Sequence, residues 1–184
     1  MTIKARFFVW LLLLLFSCCK EPNYATNPDL KPFFDVKGYF DGEVLRLHSK
    51  SKALKLVIAD GHREEKLVDS IDFKRELDVF VGSDINRPAW SDKYVVDSTF
   101  NVQNELARLD IKSIDDKLKT RRIVVEFKDA FLDKILIENT TNSSIASSNQ
   151  VLTYQPLIGF AIESFQKGAM SDEQFFKIEV RFLK

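Results

Sequence analysis

Apolar residues change their spacing along the chain, and each spacing predicts an element. Phe33, Val36, Phe40, Val44 and Leu47 recur at intervals of three and four, which predicts an amphipathic helix with Asp29 as its cap and Pro32 in its first turn. Gly38 and Gly42 stand one turn apart within it. Asp35, Lys37, Asp41 and Glu43 interleave with them, which excludes a membrane-buried helix pair and leaves close backbone packing on a sheet as the expectation. Leu54, Leu56 and Ile58 then alternate onto one face, Asp60-Gly61 supplies a turn able to take positive φ, and Arg63 to Val68 returns as the second arm of a hairpin. Phe73, Leu77, Phe80 and Val81 share the face of a second helix, capped by Ser70 or Asp72 and ended by Gly82.

From Tyr94 onward the period is two. Leu109 and Ile111, then Ile123, Val125 and Phe127, then Ile135 and Ile137 mark successive strands. Ile158, Phe160 and Ile162 mark another, and Phe176, Ile178, Val180 and Phe182 the last. Polar residues such as Glu126, Lys128, Lys177, Glu179 and Arg181 alternate with them, so one sheet face is wet. Asn139 to Asn149, "NTTNSSIASSN", reads as a polar loop. The expected fold class is α+β, an antiparallel meander sheet with two helices packed on one face.

The start of the chain follows a different logic. Its apolar run lasts only from Phe7 to Phe16, behind Lys4 and Arg6 and ahead of Lys20 and Glu21. A membrane-spanning helix needs about 20 apolar residues, whereas the core of an export signal needs about 7 to 15. Leu15-Phe16-Ser17-Cys18 at the end of this run resembles the lipobox of bacterial lipoproteins. The resemblance covers only the first part of the chain. It implies that Cys18 carries the lipid and that Ser17 is the last residue removed. Cys19, which would put Phe16 at the aliphatic position, ranks behind. In that family an Asp directly after the lipidated cysteine favours retention at the inner membrane, and Cys19 stands there instead, so the outer membrane is the expected location. The expected organisation is a signal at 1–17, a lipidated tether at 18–28 and a single α+β domain at 29–184.

Charge and cysteine content narrow the partners. Lys+Arg and Asp+Glu both total 27; removing Lys4 and Arg6 with the signal leaves 25 against 27, no basic excess for nucleic acid. Both cysteines of the chain are Cys18 and Cys19, so the domain holds no internal disulfide. The expected state is a monomer held to the membrane through covalent lipid, with another envelope protein as its candidate partner and no cofactor or metal.

The residues carry no catalytic signature. His48 falls at a helix end and His62 in a hairpin turn, the adjacent pairs Glu64-Glu65 and Asp115-Asp116 suit a solvated surface, and no G-x-S-x-G turn or phosphate loop occurs. One stretch stands apart, "GSDINRPAW" from Gly82 to Trp90, and it is similar to a segment of bacterial lipoproteins with no assigned activity. As a binding loop it offers Trp90 as an anchor and Arg87 as a fork for carboxylate or phosphate; as structure, Pro88 stiffens it and Trp90 closes the core edge. The expectation is a lipid-anchored envelope module for binding or structure. The alternative is an envelope hydrolase or apolar-ligand carrier with a pocket between helices and sheet, for which an open cavity beside His48 or Arg87 would speak.

Overall fold

The structure is a computed structural model that describes residues 31–48, 52–170 and 172–183. The expected signal, the expected lipid carrier Cys18, the expected tether and the expected Asp29 cap lie outside the described residues. Two helices, α1 (Val36–Leu47) and α2 (Phe73–Val81), lie on a single antiparallel sheet. Its strands are β1 (Ala53–Ala59), β2 (His62–Val68), β3 (Tyr94–Phe100), β4 (Leu106–Ser113), β5 (Thr120–Lys128), β6 (Phe131–Asn142), β7 (Ala146–Gln155), β8 (Gly159–Gly168) and β9 (Gln174–Phe182). The order is β2-β1-β9-β8-β7-β6-β5-β4-β3, so β3 to β9 form the meander and the early hairpin closes onto its last strand. The fold is α+β, with both helices on one face.

Register explains the core. Ile111, Ile123, Ile137, Leu152, Ile162, Ile178 and Val57 stand opposite one another from β4 across to β1. A second row, Leu109, Val125, Ile135, Tyr154, Phe160 and Val180, runs beside it on the same face. Val36, Phe40 and Leu47 of α1 and Phe73, Leu77 and Phe80 of α2 close over these rows. Phe40 lies 4.6 Å from Phe80 and 5.0 Å from Tyr154, ring centre to ring centre, and Phe160 lies 6.1 Å from Phe80. The space between helices and sheet is therefore filled with side chains.

Caps and turns follow local chemistry where a side chain is at hand. Asp72 caps α2 by accepting from the Arg75 N–H, and Gly82 ends it. Asp60 and Gly61 adopt φ of 49° and 78°, the two positive values that a tight hairpin turn needs. Gly159, at the start of β8, has φ of 150°, and a Cβ there would strike the Val180 carbonyl of the neighbouring strand.

Three expectations are corrected and one is made specific. The first helix starts at Val36, because the Asp35 carboxylate accepts from the Gly38 N–H and caps it there; Pro32 precedes the helix. Gly38 and Gly42 do not pack on the sheet. A Cβ at Gly38 would collide with the capping Asp35 carboxylate, and Gly42 faces open space. Leu54, Leu56 and Ile58 do share one face, and it is the one away from the helices, because Lys55 points to the helices and bonds Glu76 of α2 at 2.6 Å. Finally, most of Asn139 to Asn149 is strand. β6 runs through Asn142 and β7 starts at Ala146, with Thr140 Oγ1 donating to Asn149 Oδ1 at 3.0 Å across the pair. Polar side chains are tolerated there because the helices do not cover that end of the sheet, so apolar alternation was not required of it.

Candidate functional site

The segment after α2 is bound into the fold by its polar residues. Ser83 is buried and its hydroxyl donates to the Val79 carbonyl at 2.9 Å. Asp84 accepts from the Lys37 N–H at 3.0 Å and from the Asn86 N–H at 2.9 Å. The Asn86 side chain accepts from the Phe33 N–H at 3.1 Å and donates to the Phe34 carbonyl at 3.0 Å. Ile85 between them is fully buried. These contacts hold the bent, irregular segment that leads into α1.

Arg87 and Trp90 end this segment at the surface. Pro88 to Trp90 form a single 3₁₀ turn. Trp90 is half-buried against the core edge, and the exposed Arg87 guanidinium lies over its ring at 4.3 Å. That is cation–π geometry, and among the described residues the guanidinium makes no hydrogen bond or ion pair. Tyr94 lies close by, its phenol donating to the Thr120 carbonyl at 2.9 Å. Burial pushes the Tyr94 pKa up to about 12, and the charges of Arg121 and Arg87 oppose that rise.

Sequence reasoning missed a buried polar cluster between α1 and the sheet. Glu43 of α1 is buried and forms a two-pronged pair with Arg46, at 2.8 Å from Nε and 2.6 Å from Nη2. The Tyr154 hydroxyl, on β7, donates to Glu43, while Arg46 donates to that hydroxyl at 3.3 Å and to the Pro156 carbonyl at 2.7 Å. Burial, and then the Glu43 carboxylate, hold the Tyr154 phenol far above its ordinary pKa. The cluster ties helix to sheet, with each member turned toward another. Its one sequence signal was a Glu and an Arg three apart on the helix; the tyrosine lies more than a hundred residues away.

A second buried group sits under the end of α2. Asn139 Nδ2 donates to Ser83 Oγ at 2.8 Å, and Thr120 Oγ1 donates to the Ser83 carbonyl at 3.1 Å. Asn139 Oδ1 is buried without a partner.

The outer face of the sheet is a charge ladder. Arg122 holds Asp110 with two bonds of 2.9 and 2.7 Å, and Lys112 and Arg108 approach the same carboxylate. The Arg122 hydrogen bonds lower the Asp110 pKa to about 2.

Two hollows at the surface of the described residues bear on the alternatives. One of about 230 Å³ is lined by Val44, His48, Ile71, Asp72, Phe73 and Lys74, where the end of α1 meets the start of α2. The other, of about 330 Å³, lies at the uncovered end of the sheet among Thr141, Ser148, Gln166 and Gln174. His48 is exposed at the α1 terminus, with its backbone N–H bonded to the Val44 carbonyl, and His62 is the exposed first residue of β2 rather than a turn residue. Glu64 and Glu65 are exposed on β2, and Asp115 accepts from the Lys117 N–H at 2.9 Å. No group of three or more His, Cys, Asp or Glu suited to a metal ion occurs among the described residues. None of their helices is long and apolar enough to cross a membrane.

No family model, no curated protein and no solved structure matches the chain.

Proposed function

We propose that the protein is a lipid-anchored module of the bacterial cell envelope, held at the outer membrane by acyl chains on Cys18, that binds a carboxylate- or phosphate-bearing partner through Arg87 and Trp90. The observation that carries the binding half is the state of Arg87. Its guanidinium lies over an aromatic ring at the surface and makes no ion pair among the described residues, whereas Arg46 and Arg122 are both consumed by carboxylates. A guanidinium in that state offers paired donors to a planar anion, with the indole as an apolar neighbour. The anchoring half rests on Leu15-Phe16-Ser17-Cys18.

The chain has two tryptophans, Trp10 and Trp90, and Trp10 lies in the segment the signal reading removes, so Trp90 is the single indole of the mature protein. Its fluorescence reports the loop directly. Inorganic phosphate, an acidic peptide and vesicles of anionic lipid are titrated in turn. The proposal expects a saturable change with at least one of them, lost in Arg87→Ala. No change with any probe, or an unaltered response in Arg87→Ala, contradicts it.

A second reading, a carrier of a small apolar ligand, is favoured by the hollow beside His48, where Val44, Ile71 and Phe73 supply the apolar wall. Its size suits a ligand of only a few ring or chain atoms. Val44→Trp fills that hollow; a ligand that survives the change does not sit there.

A further inference from the structure

The two edges of the sheet are built differently. The outer strand at one edge, β2, reads HREEKLV and carries Arg63, Glu64, Glu65 and Lys66, charges of the kind that discourage another strand from adding on. The outer strand at the other edge, β3, reads YVVDSTF, with no Lys, Arg or Pro. Val95, Val96 and Phe100 on it are 52%, 47% and 54% exposed. The Lys93 carbonyl accepts from the Ile114 N–H, so the odd-numbered residues of β3 bond β4 and the even-numbered Tyr94, Val96 and Ser98 turn their N–H and C=O groups outward.

The charges beside this edge are self-complementary. Asp97 stands across from Asp110 on β4, yet Asp110 is already claimed by Arg122, and Asp97 has no ion pair among the described residues. Lys93, four residues earlier on the same face, reaches only its neighbour Asp92 at 3.7 Å. Two β3 strands running antiparallel about a two-fold axis at Val95 place Lys93 of each copy across from Asp97 of the other. The same register sets Tyr94 against Val96 of the second copy, both with outward backbone groups, and Val95 against Val95. An axis at Asp97 would instead set the two Asp97 carboxylates face to face.

We propose that β3 is a dimer edge, at which two copies of this chain join their sheets in the Val95-centred register. This departs from the monomer expected from the sequence, where the position of β3 at an edge was not visible. A strand edge is smaller than a standard stable interface, so the pairing is weak in free solution and gains from confinement of both copies to one membrane, a point that rests on the lipid anchor proposed above.

The test uses the full chain with Cys19→Ser and Val95→Cys, oxidised mildly in intact cells and resolved on a non-reducing gel. Directly opposed residues that do not exchange backbone bonds have close Cα atoms, so the register expects a disulfide of twice the chain mass. Cys19→Ser alone measures any dimer formed through an unlipidated Cys18, which separates failure of the anchor reading from failure of this one. Glu65→Cys, on the charged edge, is expected to stay monomeric. Asp97→Lys should lower the Val95→Cys dimer about tenfold, since like charges then oppose each other twice, and adding Lys93→Asp should restore it. A Val95→Cys yield no higher than that of Glu65→Cys overturns the proposal. So does an Asp97→Lys variant that cross-links as before, or a Val95→Cys adduct whose mass shows a different protein.

Discussion

Tyr154→Phe removes one oxygen from the centre of the bonded cluster and leaves everything else in place. The ring stays packed among Tyr39, Phe40 and Phe80 at 6.0, 5.0 and 6.1 Å, so no cavity of consequence opens. What is lost is a hydrogen bond to a buried carboxylate, together with one of Arg46's acceptors. A bond to a charged group contributes about 1.5 to 3 kcal/mol. Glu43 keeps both Arg46 bonds and is not orphaned, which puts the expected loss near the middle, about 2 kcal/mol. For a domain of roughly 150 residues that is a fall in Tm of about 4 to 8 °C. Urea unfolding should show a lower midpoint at unchanged slope. The phenol's pKa is raised in the folded state, so its contribution is present below the ordinary tyrosine value of about 10 and fades as pH rises beyond it. Alkaline destabilisation should therefore be shallower in the variant. A loss below about 0.5 kcal/mol, or an identical alkaline limb, would refute the claim that this cluster fastens α1 to the sheet.

Other consequences follow from single contacts. Asp110 has its folded pKa lowered to about 2, so its stabilisation is complete above the unfolded value near 3.9 and is lost as pH falls towards 2; Asp110→Asn should cost about 1 to 2 kcal/mol at pH 7 and flatten that acid limb in denaturation curves. Gly159→Ala should cost about 2 to 4 kcal/mol in the same assay, because the strained φ and the Val180 carbonyl both oppose a side chain; a loss under about 0.5 kcal/mol would contradict that geometry. Trp90→Ala should cost about 1 to 3 kcal/mol, less than a fully buried indole, and Arg87→Ala only about 0.5 to 1 kcal/mol, so both variants remain folded in melting curves.

Elements carried by local chemistry were legible in the chain. The second helix announces itself through Asp72, a face of Phe73, Leu77 and Phe80, and Gly82, and all of these act as read. The hairpin turn at Asp60-Gly61 and the isoleucine-rich alternation of the later strands are equally local. What was missed depends on distant partners or on coverage. Asp35 displaced the expected cap because Asn86, 53 residues from Phe33, holds the preceding chain in a non-helical, bent course. The polar hairpin of β6 and β7 was hidden because alternation appears only where a helix covers the face. Leu54, Leu56 and Ile58 marked a strand correctly without saying which side the helices take. Of the candidate site, Arg87 and Trp90 could be named from residue type, but their stacking and the missing partner of the guanidinium could not. The bond between Glu43 and Tyr154 spans 111 residues and leaves no periodic trace.

The claim on which the functional proposal most depends is the lipid on Cys18, and metabolic labelling with palmitate tests it directly. The wild-type chain and Cys19→Ser should both take up label and sediment with the envelope, because acyl chains that contribute about 0.8 kcal/mol per buried CH₂ hold a protein on a bilayer when two or more are present. Cys18→Ser should take up none and lose that association. Label on the Cys18→Ser protein, or an unlabelled wild type, would contradict the account.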